Sequence, residues 1–356
     1  MYKVGQQEVA ALARVLLSGE LFRYHIGGEC DRFEHRWARQ LGVEHYRMTS
    51  SGTTALTAAL AGLQIGPGDE VVVPACTYMA SAVSVLAVGA IPVVADIDES
   101  ITLDPKALEA LIGPRTRAVI PVHMWGLVCD MDAIMKVAKK HKLFVIEDAC
   151  QCVGGAYKGR MAGSIGHAGA FSFNYYKNMT CGEGGAVVTN DEEVIQRAGC
   201  MIDCCSFYWS GRDDDFVPFT GNGARASELE GAMMNVQLDR LPGMVKAMRK
   251  QKQRILEETA DTGLMPIKAN SLEWEVGANV GYLLPSAEAA SQFAAAVGGF
   301  VCAQTGRHIY TEWDPLFAHQ GGHVPAMNPY LMPANKQCRK KYTKTMCAKS
   351  LEILGR

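Results

Sequence analysis

Charge of one sign is what this 356-residue chain most plainly lacks: 35 Lys and Arg stand against 37 Asp and Glu, a formal net charge of −2. So balanced a chain carries no polyanion-binding footprint, and nucleic acid is not an expected partner. Long apolar runs are scarce as well. The longest, Ala80 to Ala95, contains Gly89 and Pro92 and is too short to cross a bilayer comfortably, so no membrane partner is expected. No segment resembles a signal peptide. Cysteine is plentiful, at 12, yet no C-x-x-C pair occurs; the close spacings are Cys150/Cys152 and the adjacent Cys204/Cys205. In a chain this long they read as reduced intracellular thiols, and the expected location is the cytoplasm. Neither an internal repeat nor a low-complexity segment is found.

What the chain does have is apolar material, 48% of its residues, enough for a substantial core. Its length exceeds what one core usually serves, so a large domain over residues 1–245 and a smaller α+β domain over 246–356 are expected. Strand-like runs at 45–49, 70–73, 91–95, 118–121, 144–146, 169–173 and 185–189 alternate with helical stretches at 6–17, 31–41, 53–63, 80–87, 131–141 and 192–198. Such alternation predicts an α/β fold, a largely parallel sheet with helices on both faces.

Lys177 lies in Phe171-Ser172-Phe173-Asn174-Tyr175-Tyr176-Lys177, just before the turn Gly182-Glu183-Gly184-Gly185. Aromatic and small neighbours set it apart from the solvated lysines of helix faces, and partial desolvation suits an amine that forms a Schiff base. By residue type alone, a lysine snorkelling from a strand edge is the commoner outcome. Asp148 ends the run Leu143-Phe144-Val145-Ile146-Glu147-Asp148, which reads as a buried parallel strand. Ligands of doubly wound sheets sit off the carboxyl ends of strands, although an acid there is also a common helix cap. Gly52-Thr53 precedes a predicted helix, whose free amides attract phosphate; an ordinary Ser/Thr cap explains it equally.

Together these residues resemble a known family. Ser50-Ser51-Gly52-Thr53-Thr54-Ala55-Leu56, Glu147-Asp148-Ala149-Cys150-Gln151, Phe171-Ser172-Phe173 through Lys177, Gly182-Glu183-Gly184-Gly185 and Gly221-Asn222-Gly223-Ala224-Arg225 occur in the order of the signatures of the DegT/DnrJ/EryC1/StrS aminotransferases. The likeness runs from about Phe22 to Met244. It implies a fold-type-I, pyridoxal 5′-phosphate (PLP) dependent enzyme with a seven-stranded sheet, alternating with pyridoxamine 5′-phosphate, that aminates keto-sugars or keto-cyclitols. By resemblance Lys177 carries the cofactor and then moves protons, and Asp148 pairs with the ring nitrogen. Gly52, Thr53 and Ser172 hold the phosphate, Tyr78 stacks on the ring, and Gln151 sits near its phenolic oxygen. Asn222 reaches the phosphate in a neighbouring subunit, which implies a homodimer with shared sites. The amino donor implied is glutamate or glutamine, with Arg225 as a contact for its carboxylate. A lysine at 177 separates the chain from the family's histidine-bearing dehydratase branch.

The final third is less legible. His308, Tyr310 and His323 stand in aromatic- and His-rich segments suited to holding a polyol substrate, or equally to packing a small domain. Two histidines make a weak metal pair, and no metal is expected. Phe22-Arg23-Tyr24 and the Glu147–Gln151 run resemble members acting on 8-oxo octulosonate; a nucleotide-linked keto-sugar or a keto-cyclitol stands beside it. Arg339-Lys340-Lys341 is the dense basic run that a diphosphate would need. The sequence reads as starting inside its first helix and stopping inside its last, so trimming at both ends is expected. Two other readings are a PLP-dependent lyase or desulfurase using Cys302 or Cys338, and a non-catalytic PLP-binding regulatory homologue.

Overall fold

Short apolar runs that end in a small or polar residue build the central sheet. In the computed structural model, which describes residues 4–204 and 217–356, seven strands join in the order β1-β9-β8-β5-β4-β2-β3. They are β1 (His45–Thr49), β2 (Glu70–Pro74), β3 (Ile91–Ala95), β4 (Thr116–Val119), β5 (Phe144–Asp148), β8 (Ala168–Ser172) and β9 (Gly185–Thr189). The small hairpin strands β6 (Ala156–Tyr157) and β7 (Arg160–Met161) lie between β5 and β8 in sequence. Neighbours from β8 to β3 run parallel, and β9 is antiparallel to both β8 and β1. Strands β2, β3, β8 and β9 are buried along their whole length, which is why they read as continuous apolar runs rather than alternating ones.

Successive residues face opposite sides of the sheet and feed two cores. Val71, Val73, Ile146 and Val187 pack with helix α3 (Gly52–Gly62), α4 (Ala80–Ala87) and α7 (Glu192–Ile202). Trp313, Tyr330 and Leu354 of the C-terminal third join that same core. Val72, Val145 and Val188 pack on the other face with Phe33 and Trp37 of α2 (Glu29–Leu41) and with α6 (Met131–His141). Helix α1 (Gln6–Ser18) opens behind Gly5, so the first helix begins within the chain and not before it. Helix α5 (Pro105–Ala110) is capped by Asp104, whose side chain accepts from Lys106 N.

The sequence pattern missed one large element. Helix α8 (Glu228–Glu258) runs 31 residues across the boundary expected at residue 245. Pro242 and Gly243 in its middle read as breakers, because proline removes a helical donor. Burial of Leu238, Leu241 and Val245 and the capping box of Ser227 with Glu230 sustain it regardless. Beyond it lie a two-stranded ladder of β10 (Met265–Pro266) with β11 (Tyr282–Leu283), and helix α9 (Ala287–Val297). Among the described residues no helix is long and apolar enough to cross a membrane. Cys205 of the expected adjacent pair lies outside the described residues; nine of the others, leaving Cys200 and Cys204 aside, are free thiols.

Candidate functional site

The carboxyl ends of β1, β2, β5 and β8 converge on a cavity of about 710 Å³. Asp148, at the last position of β5, is 4% exposed on its wall. Ser81 Oγ donates to its Oδ2 (2.7 Å) and Cys150 N to its Oδ1 (3.1 Å). Its own backbone is tied across to the neighbouring strand end, Asp148 N to Pro121 O (2.9 Å) and His123 N to Asp148 O (3.0 Å). The carboxylate is therefore fixed in direction and keeps lone pairs for a cation or donor in the cavity.

Glu147, one residue earlier, faces the opposite side, as the pleat requires. It is fully buried and accepts from Gly163 N (2.9 Å), Ile165 N (2.5 Å) and Gly166 N (2.6 Å). His123 completes the set: its Nδ1 accepts from Cys129 N (3.2 Å), so Nε2 carries the proton and donates to Glu147 (2.9 Å). This buried pair pins the loop after β7 to the strand that bears Asp148.

Helix α3 aims its N-terminus at the cavity. Ser51 Oγ accepts from Thr54 N (3.1 Å), while the amides of Gly52 and Thr53, in the first turn, have no acceptor within the helix. A Cβ at Gly52 would stand 2.7 Å from Cys150 Sγ and 2.8 Å from Ser172 Cβ. Only glycine lets the helix approach the ends of β5 and β8 so closely. Ser172, buried at the last position of β8, lines the same wall.

Lys177 is half-buried on the cavity wall and forms no ion pair among the described residues. Its charge acts on Cys150 and on His308. The His308 imidazole is held below the ordinary histidine range, by burial first and also by the charges of Arg307 and Lys177. Tyr78 is 41% exposed, with its ring centroid 5.7 Å from that of His308 and the Arg307 guanidinium 5.6 Å from its own. Gln151 and Glu183 also line the cavity, Glu183 accepting from Asn174 Nδ2 (2.7 Å).

Thus Gly52, Thr53, Tyr78, Asp148, Gln151, Ser172, Lys177 and His308, separated by up to 256 positions, meet at one cavity. Four other expected residues fall outside its lining. Tyr310 is 1% exposed and donates to Lys344 O (2.8 Å), so it is a core tyrosine. His323 is exposed elsewhere. Arg225 pairs with Asp203 (3.0 Å), and Asn222 is anchored through its backbone N to Met201 O (2.9 Å). The basic run is committed as well: Arg339 clasps the buried Glu70 and donates to Leu111 O (2.6 Å), and Lys340 Nζ donates to Tyr330 O (2.8 Å). Cys302 and Cys338 lie off the cavity, and burial pushes the Cys302 thiol up to about 11.

Sequence reasoning missed Ser81, Trp125, Asn279 and Arg307. Only Arg307, next to His308, carried a local signal. Trp125 has φ 51 and ψ 31, a left-handed backbone that costs a bulky residue roughly 1–3 kcal/mol. Asn279 Nδ2 donates to Trp125 O (2.9 Å) and Val276 N to Gly126 O (3.0 Å), which hold the turn.

The donor set fits a phosphorylated pyridine aldehyde. An amine, an oriented carboxylate, a helix N-terminus and an aromatic face surround one space of suitable volume.

Comparison with known proteins gives a consistent result. Residues 3–296 match the DegT/DnrJ/EryC1/StrS aminotransferase family. Over 214 residues, 59% of this chain and 56% of the relative, the sequence is 44% identical to GDP-perosamine synthase of Caulobacter vibrioides. The chain spans about half to three fifths of the length of the curated relatives it matches. Among solved structures, the DesV protein of S. venezuelae, in complex with a ketimine intermediate, is 33% identical with a TM-score of 0.74, over 91% of this chain and 86% of that one. An aminotransferase from Psychrobacter cryohalolentis is 28% identical with a TM-score of 0.76, over 99% of this chain and 96% of that one.

Proposed function

The chain belongs to the DegT/DnrJ/EryC1/StrS aminotransferase family, and from that premise we propose that it is a PLP-dependent aminotransferase moving an amino group from glutamate or glutamine to a keto-sugar. The observation that carries this reading is the meeting of Lys177, Asp148, Ser172 and the N-terminus of α3 at one cavity. When bound there, the cofactor supplies an electrophilic carbonyl and an electron sink. Lys177 Nζ is the amine that holds it and the base that moves the donor's α-proton. Asp148 keeps the ring nitrogen protonated, and Ser81 with Cys150 N keeps Asp148 aimed. Gly52 N, Thr53 and Ser172 Oγ would hold the phosphate, and Tyr78 and Gln151, on the same wall, would contact the ring.

We place the enzyme in the cytoplasm as a homodimer, with Asn222 serving the partner's phosphate and Arg225 a donor carboxylate; neither lines the cavity of its own chain. The acceptor is an 8-oxo octulosonate, a nucleotide-linked keto-sugar or a keto-cyclitol. The commitment of Arg339 and Lys340 to the fold removes the local diphosphate patch that the sequence offered. Nothing favours the lyase reading, for which Cys302 and Cys338 stand in the wrong place.

The test is to add glutamate or glutamine to the cofactor-loaded protein and follow the cofactor's absorption with release of the 2-oxo acid, Lys177→Ala serving as control. No change with any amino acid sinks the proposal. The three acceptor classes then compete for the aminated cofactor. Mixing Lys177→Ala with Asn222→Ala subunits should restore activity through one intact composite site; no recovery after demonstrated subunit exchange refutes the shared site.

A further inference from the structure

Trp125 stands between two cavities. It lines the one that holds Lys177 and also a second of about 630 Å³. Ala278 and Asn279 are the other residues common to both walls. The second cavity is largely apolar, walled by Leu127, Ile267, Phe293, Val297 and Phe300 among others. The indole meets His308, of the first cavity, at a centroid distance of 5.8 Å, and Phe300, of the second, at 5.4 Å. The side chain thus stands at the border between them, beside Ala278 and Asn279. Its backbone is independently unusual, a left-handed conformation kept by a tryptophan and clamped by Asn279. Strain of that kind is retained where the surroundings over-determine it, and it clusters at functional sites.

We propose that Trp125 is a specificity-determining residue: its indole closes the catalytic cavity against the apolar one, offers an aromatic face to the polyol ring of the ketone acceptor, and excludes ketones that carry an apolar extension. The reaction invoked rests on the aminotransferase reading; the partition does not. A ring that presents C–H bonds on one face and hydroxyls at its edge suits an aromatic wall beside a polar amide. Asn279 supplies that amide: its Nδ2 holds Trp125, which leaves its Oδ1 to accept from a hydroxyl. Shortening the indole joins the two spaces, so a phenyl group that the wild-type wall turns away gains room.

The experiment uses cofactor-loaded wild type, Trp125→Ala and Trp125→Gly, the last because glycine accepts the left-handed backbone without strain. Equilibrium dialysis measures 4-phenyl-2-butanone and scyllo-inosose binding, and the same two ketones compete as amino acceptors. Both variants should bind 4-phenyl-2-butanone at least tenfold tighter than wild type, and its turnover relative to scyllo-inosose should rise at least tenfold, in the range that hydrophobic pockets discriminate. Misfolding, which also exposes apolar surface, is excluded by retained near-UV circular dichroism and a cooperative unfolding transition in both variants. Unchanged binding and an unchanged ratio in both variants overturn the proposal. Should wild type transaminate nothing, the aminotransferase reading falls, and dialysis alone still decides the partition.

Discussion

Ser81→Ala isolates how the central carboxylate is held. Ser81 Oγ lies 2.7 Å from Asp148 Oδ2 and 2.7 Å from Thr77 Oγ1, and all three residues are buried. Alanine removes the donor to Oδ2 and leaves Cys150 N on Oδ1 as the protein's remaining hydrogen bond to that group. A hydrogen bond to a charged acceptor contributes about 1.5–3 kcal/mol. At 1.36 kcal/mol per tenfold, kcat/KM for glutamate should fall roughly 10- to 150-fold if Asp148 must point at the cofactor ring. Cofactor affinity should weaken in the same direction, read by spectral titration of the apoprotein. Ser81→Thr, which keeps the hydroxyl, should recover part of both. A Ser81→Ala protein with kcat/KM and cofactor affinity within twofold of the parent would refute the reasoning, because Cys150 N and the strand end would then suffice to orient Asp148.

Other expectations concern the frame around the site. Arg339→Ala strands the buried Glu70; with Arg339 41% exposed, the loss should be about 2–3 kcal/mol in urea unfolding, below the value for a fully buried pair, with acceptor KM unchanged. A rise in KM without loss of stability would return Arg339 to substrate binding. Trp37 packs on Phe171 (5.2 Å), Phe33 (6.2 Å) and Phe173 (6.2 Å), and its Nε1 has no hydrogen-bond partner among the described residues. Trp37→Ala should therefore cost about 3–5 kcal/mol and Trp37→Phe about 1 kcal/mol or less, since phenylalanine removes the orphan donor; equal losses would contradict this. Burial holds both His308 and His167 below the ordinary histidine value of about 6.5. The unfolded chain then binds more protons just below that pH, so stability should fall as pH drops from about 6.5. His308→Gln should flatten that fall in denaturant titrations; an identical slope speaks against a buried neutral imidazole.

Local rules carried far in this chain. The seven strands are legible because their apolar runs are short and, in β2, β3, β8 and β9, buried along their whole length; the six helices are legible because their apolar residues recur at helical spacing. Asp148, Gly52 and Ser172 are legible because each stands at a strand end or helix start, whereas Lys177, in the loop after β8, is legible through the motif order that the chain shares with the family. Helix α8 was not, since a proline and a glycine in its middle outweigh its periodicity until α2 and the sheet cover its apolar side.

The sequence by itself determined the sheet, the helix that starts at Gly52 and the place of Asp148 at a strand end. Only the tertiary structure decided which distant groups complete the wall. Ser81 reaches Asp148 across 67 positions, Arg307 and His308 arrive from the C-terminal third, and Trp125 is held at the border of two cavities by Asn279. It also turned Tyr310 inward and gave Arg339 to Glu70. The reason is physical: a side chain's partner across the chain depends on how helices and loops pack, and packing is a property of all of them together.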